Sequence, residues 1–247
     1  MRILVINPNT TDSMTKDILE AARRHALPGT LVEAVSAPWG PRSIEGHAEE
    51  ALAAAATLEA VAESRSDYDG FVVACYGDPG LYAARELVDA PVMGIAESSM
   101  LMACTLAHKF SVVTVIPRIV PMLQDLVRRY GLESRCASVR SSGLAVLDID
   151  SDVDAAGEAI LTEARRAIAE DGAEAIALGC AGMGPLDDWL RERMPGVPVI
   201  DGVVASVKLL EGLQAYGLTT SKVRAFQHPE PKELVGVADA LQASVRR

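Results

Sequence analysis

Two segments of the chain share one short pattern. Phe71-Val72-Val73-Ala74-Cys75-Tyr76-Gly77-Asp78-Pro79-Gly80 is an apolar run that passes into Cys-x-Gly and then a proline. Ala175-Ile176-Ala177-Leu178-Gly179-Cys180-Ala181-Gly182-Met183-Gly184-Pro185 repeats it. A thiol at the end of a buried strand and ahead of a helix is suited to acid/base work, because the partial positive charge of a helix start favours thiolate. The glycines at 77 and 182 let backbone N–H groups approach a ligand closely. Two such turns facing each other form two donor nests around one small molecule, fit for a carbonyl oxygen that becomes an enolate. Two opposed acid/base groups of one type remove a proton from one face of a carbon and return it to the other. The chemistry expected is racemisation or epimerisation by Cys75 and Cys180, one starting as thiolate and the other as thiol, with no cofactor and no metal.

The competing reading is that a free cysteine is a small buried hydrophobe. Cys104 and Cys136 are read that way. Asp78 lies three residues after Cys75 and is read as a helix N-cap; ionised, it would raise the thiol pKa. Prolines 79 and 185 are placed to open helices.

The elements that must hold these cysteines follow from the apolar pattern. Strands are predicted at 2–7, 31–36, 71–75, 91–95, 110–116, 137–139, 174–179 and 198–200. Helices are predicted at 13–25, 47–64, 79–88, 98–107, 119–130, 153–170, 185–194, 202–216 and 233–245. Loops take 37–46, 143–150 and 219–232. This alternation of buried strands with helices is that of an α/β protein with parallel sheets flanked by helices on both faces. The halves also resemble each other: each cysteine strand leads to a helix and then to a Pro-Val strand, Pro91-Val92-Met93-Gly94 and Pro198-Val199-Ile200-Asp201. The expected fold is therefore two similar lobes related by a pseudo-two-fold axis, with the site in the cleft between them. Residues 1–97 with 205–247 form the N-terminal lobe and 98–204 the C-terminal lobe.

The bulk properties exclude several classes. A chain of 247 residues buries enough surface to fold without disulfide or metal staples. Its net charge is −11 and its basic residues are not clustered, which argues against nucleic acid and against anionic membranes. The apolar start Ile3-Leu4-Val5-Ile6 is too short for a secretory leader, and no run is long enough to span a bilayer. A cytoplasmic protein with four free thiols is expected. None of the cysteines forms Cys-x-x-Cys and no histidine adjoins Cys75 or Cys180, so a zinc site is not expected. Gly179-x-x-Gly182-x-Gly184 is not in the dinucleotide-binding order. A homo-oligomer acting on a small molecule is the expected assembly.

Several segments carry a family resemblance. They are Arg2-Ile-Leu-Val-Ile-Asn-Pro-Asn-Thr10, Ser43-Ile-Glu-Gly46, Ala74-Cys-Tyr-Gly-Asp-Pro-Gly-Leu81, Pro91-Val-Met-Gly-Ile-Ala-Glu97, Glu170-Asp-Gly-Ala-Glu-Ala-Ile-Ala-Leu-Gly-Cys-Ala-Gly-Met183, Pro198-Val-Ile-Asp201 and Thr220-Ser-Lys222. Together they span nearly the whole chain. They resemble the Asp/Glu/hydantoin racemase superfamily, and within it the hydantoin and allantoin racemase branch. The resemblance implies two α/β lobes with the active site between them and a catalytic pair at Cys75 and Cys180. It further implies that Asn9, the loop residues Ser43 and Ile44, and the backbone around Tyr76-Gly77 and Ala181-Gly182 line the substrate. In the usual pattern Phe follows the first cysteine. Tyr76 departs from it, either adding a polar contact or simply packing.

Within the superfamily, amino-acid racemases carry hydroxyl residues beside both cysteines that help to hold a free carboxylate. Here those positions are Tyr76-Gly77 and Ala181-Gly182. The hydroxyls are missing, and a neutral ring fits better than a charged amino acid. The expected function is a two-base racemase of 5-substituted hydantoins acting at C5, with allantoin as the near alternative. A maleate isomerase or arylmalonate decarboxylase-like enzyme of the same fold, or a non-catalytic small-molecule binding protein, are the other readings. His47 is read as a surface or capping residue, Glu45 as a structural hydrogen-bonding group, Trp39 as packing, and Arg118 as either a ligand contact or a turn cap.

Overall fold

In the computed structural model, residues 1–149 and 152–244 are described. Asp150, at the end of the expected loop, and Val245, at the end of the expected last helix, lie outside the described residues. Strands β1 (Arg2–Asn7), β2 (Leu31–Ser36), β3 (Gly70–Val73) and β4 (Val92–Gly94) form one sheet in the order β2-β1-β3-β4. Strands β5 (Phe110–Thr114), β6 (Cys136–Ser141), β7 (Ala175–Leu178) and β8 (Val199–Ile200) form a second sheet in the order β6-β5-β7-β8. Every pairing is parallel. The two sheets therefore share one topology, β1 matching β5 and β3 matching β7.

The central strands are buried on both faces, which is why they read as unbroken apolar runs. All four residues of β3 and of β7 are buried. The edge strand β2 instead alternates, burying Val32 and exposing Glu33, which pairs with Arg2 at 3.0 Å. Helices α1 (Asp12–His25), α2 (His47–Ser64) and α3 (Leu81–Leu87) accompany the first sheet. Helices α4 (Ile95–Leu106), α5 (Val120–Arg129), α6 (Val153–Asp171), α7 (Asp187–Arg193), α8 (Gly202–Tyr216) and α9 (Asp239–Ser244) follow.

The helix after the last strand of each sheet reaches the other sheet. α4 leaves β4 and lies against β7, β5 and β8, while α8 leaves β8 and lies against β3 and β4. The two helices also pack on each other. Their starts approach so closely that a Cβ on Gly202 would stand 2.6 Å from the Ile95 carbonyl oxygen. Only glycine fits there.

β1, β2, α2 and α8 begin and end where the sequence predicts. The turns after the cysteines differ from prediction. Both strands stop two residues short of their cysteine, so each thiol stands in the turn rather than on the strand. Pro79 does not open a helix. Asp78 and Gly80 both adopt left-handed backbone, φ 46° and 78°, and α3 starts only at Leu81. Pro185 lies inside a 3-10 turn, Ala181–Leu186, and α7 starts after it. Among the described residues no helix is long and apolar enough to cross a membrane.

Candidate active site

The first cysteine turn is set by Asp78. Its carboxylate is buried and does not cap its own helix. It reaches instead to the start of α4, accepting the Ala96 N–H at 3.0 Å and the Glu97 N–H at 2.9 Å. The Tyr130 hydroxyl adds a third donor at 2.5 Å. This is why α4 begins at Ile95 rather than at 98: the open amides of its first turn meet a carboxylate. Gly94 makes room for it, since a Cβ there would fall 2.3 Å from the Asp78 Cγ. Burial pushes the Asp78 carboxyl up to about 7 against the pull of these donors. The left-handed Asp78 then turns the chain back, its N–H bonding the Cys75 carbonyl at 2.9 Å.

The sequence suggests a thiolate favoured by a helix start. The structure shows the opposite balance at Cys75. Burial pushes its thiol up to about 12; the Gly77 N–H donated to sulfur opposes this, and the charges of Cys180, Asp78 and Glu50 add to it. Desolvation outweighs a helix end that begins only at Leu81.

The second cysteine is held at the end of the second sheet. The Gly179 N–H bonds the Val113 carbonyl at 2.8 Å and the Gly179 carbonyl accepts from the Thr114 hydroxyl at 3.0 Å. Cys180 follows in extended backbone as the residue that caps the 3-10 turn. Gly182 sits beside the thiol, where a Cβ would lie 3.7 Å from the Cys180 Sγ and 3.6 Å from the Met14 Cε.

Cys75 and Cys180 line one cavity of about 150 Å³ between the strand ends of the two sheets. Asn9, Ile44, Tyr76, Gly77 and Ala181 line it too. Ser43 and Gly182 are not among its lining residues. Asn9 is oriented by its neighbours. Its side-chain oxygen accepts from the Asn7 amide and from the Thr11 N–H, both at 2.9 Å. Its amide nitrogen is left facing only the Met14 sulfur at 3.2 Å, a weak acceptor. A good donor therefore points along the cavity wall.

Tyr76 is 4% exposed and sends its hydroxyl away from the cavity, 2.9 Å from the Ser99 Oγ on α4. Ser99 in turn donates to the Ala96 carbonyl at 3.1 Å. The extra oxygen relative to Phe is thus spent on fastening the cysteine turn to α4. Glu45 has the hydrogen-bonding role read from sequence: its carboxylate accepts the Val146 N–H at 3.1 Å. That bond joins the loop of Ile44 to the loop of Val146, and both residues line the cavity. Arg118 packs over Gly46, 2.9 Å from where a Cβ would be, and does not line the cavity. Trp39 donates from its ring N–H to Glu59 at 2.8 Å, on α2. Cys104 and Cys136 are outside the cavity.

The sequence misses two parts of the site. One is an apolar wall, formed by Ile119 of a 3-10 turn and by Met122, Leu123 and Leu126 of α5. The other is a charged mouth of Glu50, Asp125 and Arg129, which His47, exposed at the start of α2, also lines. The only available signal is that His47 and Glu50 lie one helical turn apart at the start of α2, behind the Ser43–Gly46 motif.

The chain resembles known proteins along its length. The profile of the Asp/Glu/Hydantoin racemase family matches residues 3–210. The hydantoin racemase of Pseudomonas sp. (strain NS671) is 49% identical over 240 residues, covering 97% of this chain and 96% of that protein. The hydantoin racemase of Rhizobium meliloti is 45% identical, covering 96% and 98%. The structure of allantoin racemase from Klebsiella pneumoniae superposes with a TM-score of 0.94 at 45% identity, covering 98% of each chain. With a matched pair of parallel sheets, a cysteine in the turn after β3 and after β7, and likeness along its length, the chain belongs to the Asp/Glu/hydantoin racemase family.

Proposed function

We propose that the protein is a cofactor-independent racemase of 5-substituted hydantoins, in which Cys75 and Cys180 remove and return the C5 proton from opposite faces of the ring. One observation carries this reading: two thiols from equivalent positions of two equivalent sheets line a single cavity. A thiolate on one side takes the C5 proton while the thiol on the other gives one. The charge developing on the C4 oxygen needs donors, and Asn9 with the backbone around Tyr76-Gly77 and Ala181-Gly182 supplies them. Ser43 is proposed to act through the loop that carries Ile44. The relatives named hydantoin racemase support the substrate class.

The likeness to an allantoin racemase structure keeps allantoin, itself a 5-substituted hydantoin, as the second reading. The apolar wall of Ile119, Met122, Leu123 and Leu126 favours an apolar 5-substituent over a polar ureido group, whose desolvation costs free energy unless it is hydrogen-bonded. The proposed lobes are residues 1–97 with 205–247, and 98–204, supported by the exchange of α4 and α8. The thiols, none in a disulfide, suit the reducing cytoplasm, and the working form is proposed to be a homo-oligomer.

The test is to assay Cys75→Ser and Cys180→Ser with each enantiomer of a 5-alkylhydantoin in D₂O. Each variant should lose racemisation, with residual C5 exchange from one enantiomer only and opposite enantiomers for the two variants. Near wild-type racemisation by either variant removes the two-base assignment.

A further inference from the structure

The mouth of the cavity contains one group that the two-cysteine chemistry leaves unused. Glu50 stands on the first turn of α2 and lines the cavity. Its side chain is 26% exposed, whereas His47, Asp125 and Arg129 at the same mouth are exposed. Asp125 is already held by Arg128. His47 lies 3.8 Å from Glu50, too far for a hydrogen bond. The Glu50 Oε1 reaches over the first cysteine turn, 3.2 Å from where a Cβ on Gly77 would be. Among the described residues neither of its side-chain oxygens accepts a hydrogen bond. Its charge is felt at Cys75. Burial pushes its own carboxyl up, and His47 and Arg129 only partly oppose this.

A part-exposed carboxylate with no protein donor is hydrated, and a ligand that enters the cavity and displaces that water must supply a donor in its place. The donors of this cavity, the Asn9 amide and the turn amides, match ring carbonyls. A cyclic ureide also carries ring N–H groups, and these need an acceptor. A substrate that placed a carboxylate beside Glu50 would be repelled.

The geometry points to Glu50 as the residue that selects the ring: its carboxylate accepts a hydrogen bond from a ring N–H of the cyclic ureide, over the Cys75-Tyr76-Gly77 turn. This rests on the hydantoin-racemase reading. It names a specificity contact for that site and assigns Glu50 no proton transfer to C5.

The experiment compares the purified full chain with its Glu50→Gln and Glu50→Ala variants. The substrates are a 5-alkylhydantoin and its N1-methyl and N3-methyl derivatives, followed by polarimetry. Circular dichroism and melting confirm that the variants are folded. A hydrogen bond to a charged group corresponds to roughly 10- to 100-fold in affinity. Glu50→Ala should raise KM for the parent hydantoin by about that factor and lower kcat much less, with Glu50→Gln in between. One N-methyl derivative should be a poor substrate for the wild type, and for that compound the Glu50→Ala loss should largely vanish. Its identity names the ring nitrogen. The proposal is overturned if the variants lose the same factor on all three substrates, as general damage would give, or if they lose nothing. If the wild type racemises no hydantoin at all, the underlying reading falls and the proposal with it. A wild type active on the parent compound separates that failure from a failure at Glu50 alone.

Discussion

Replacing Tyr76 by Phe tests whether the tyrosine hydroxyl serves the scaffold or the ligand. Its oxygen is 2.9 Å from the Ser99 Oγ, and Ser99 is fully buried. Because Ser99 donates to the Ala96 carbonyl, the tyrosine is the donor of the pair. Tyr76→Phe removes that donor but leaves Ser99 its other bond, so the cost is that of one buried neutral hydrogen bond, about 1–2 kcal/mol. A chain of 247 residues has an unfolding entropy of roughly 0.5 kcal/mol per kelvin, so Tm should fall by about 2 to 4 °C. Ser99→Ala leaves the tyrosine hydroxyl buried with no acceptor and should cost as much or more, about 1–3 kcal/mol. The double variant should then be little worse than Tyr76→Phe alone, with a coupling of about 1 kcal/mol. Urea or thermal unfolding reads the stabilities, and polarimetry reads kcat and KM, which should stay within about twofold of wild type. A tenfold loss of kcat/KM in Tyr76→Phe with Tm unchanged would refute the reasoning, because the hydroxyl would then be acting on the ligand.

Three further outcomes follow from the geometry. Gly202→Ala would press a methyl against the Ile95 backbone at 2.6 Å, and such overpacking should cost about 1–3 kcal/mol in urea unfolding; a variant as stable as wild type would show that the α4 and α8 starts do not meet so closely. Glu45→Ala removes the bond to the Val146 N–H that ties the two cavity loops, and steady-state kinetics should show KM raised roughly threefold to tenfold with kcat retained. An unchanged KM would mean that the loops hold without it. Because Cys75 is pushed up to about 12 from its ordinary 9, the folded state keeps this proton where the unfolded chain loses it. The associated stability is present below pH 9 and is lost as pH rises from 9 towards 12. Denaturation across that range should therefore steepen with pH in wild type and less so in Cys75→Ala; equal slopes would contradict a raised Cys75 thiol.

The sheet pattern and the cysteine pair are legible in the sequence because both are local signals. A strand buried on both faces must be an apolar run, and β3 and β7 are such runs, each followed by the same Cys-x-Gly. What the sequence hides depends on contacts distant in the chain. Asp78 reads as the cap of the helix beside it, yet its carboxylate goes to Ala96 and Glu97, eighteen and nineteen residues on. No local pattern distinguishes the two helix starts. The apolar face of α5 reads as ordinary core, and only its placement against the second sheet turns Met122 and Leu123 toward the cavity. Glu50 is hidden for a similar reason, since an acidic residue in a first helical turn is expected on dipole grounds alone. Glu45 was readable because it sits inside a short Ser-Ile-Glu-Gly loop, where a carboxylate has few roles other than holding the loop.

The electrostatics of the cavity bear on how a two-thiol pair could work. The proposed mechanism needs one thiolate and one thiol at once, and it fails if both ionise together. The charge of Cys180 is among the causes that hold Cys75 up, so ionisation of the one opposes ionisation of the other. Desolvation outweighs the Gly77 N–H donated to Cys75, so its surroundings do not favour the thiolate there. The stabilisation must then come where charge moves from sulfur to the ring oxygen, and in the same low-dielectric space each donor aimed at that oxygen acts more strongly than in water. In the proposed mechanism Asn9 and the remaining turn amides therefore bear more of the rate than thiol activation does.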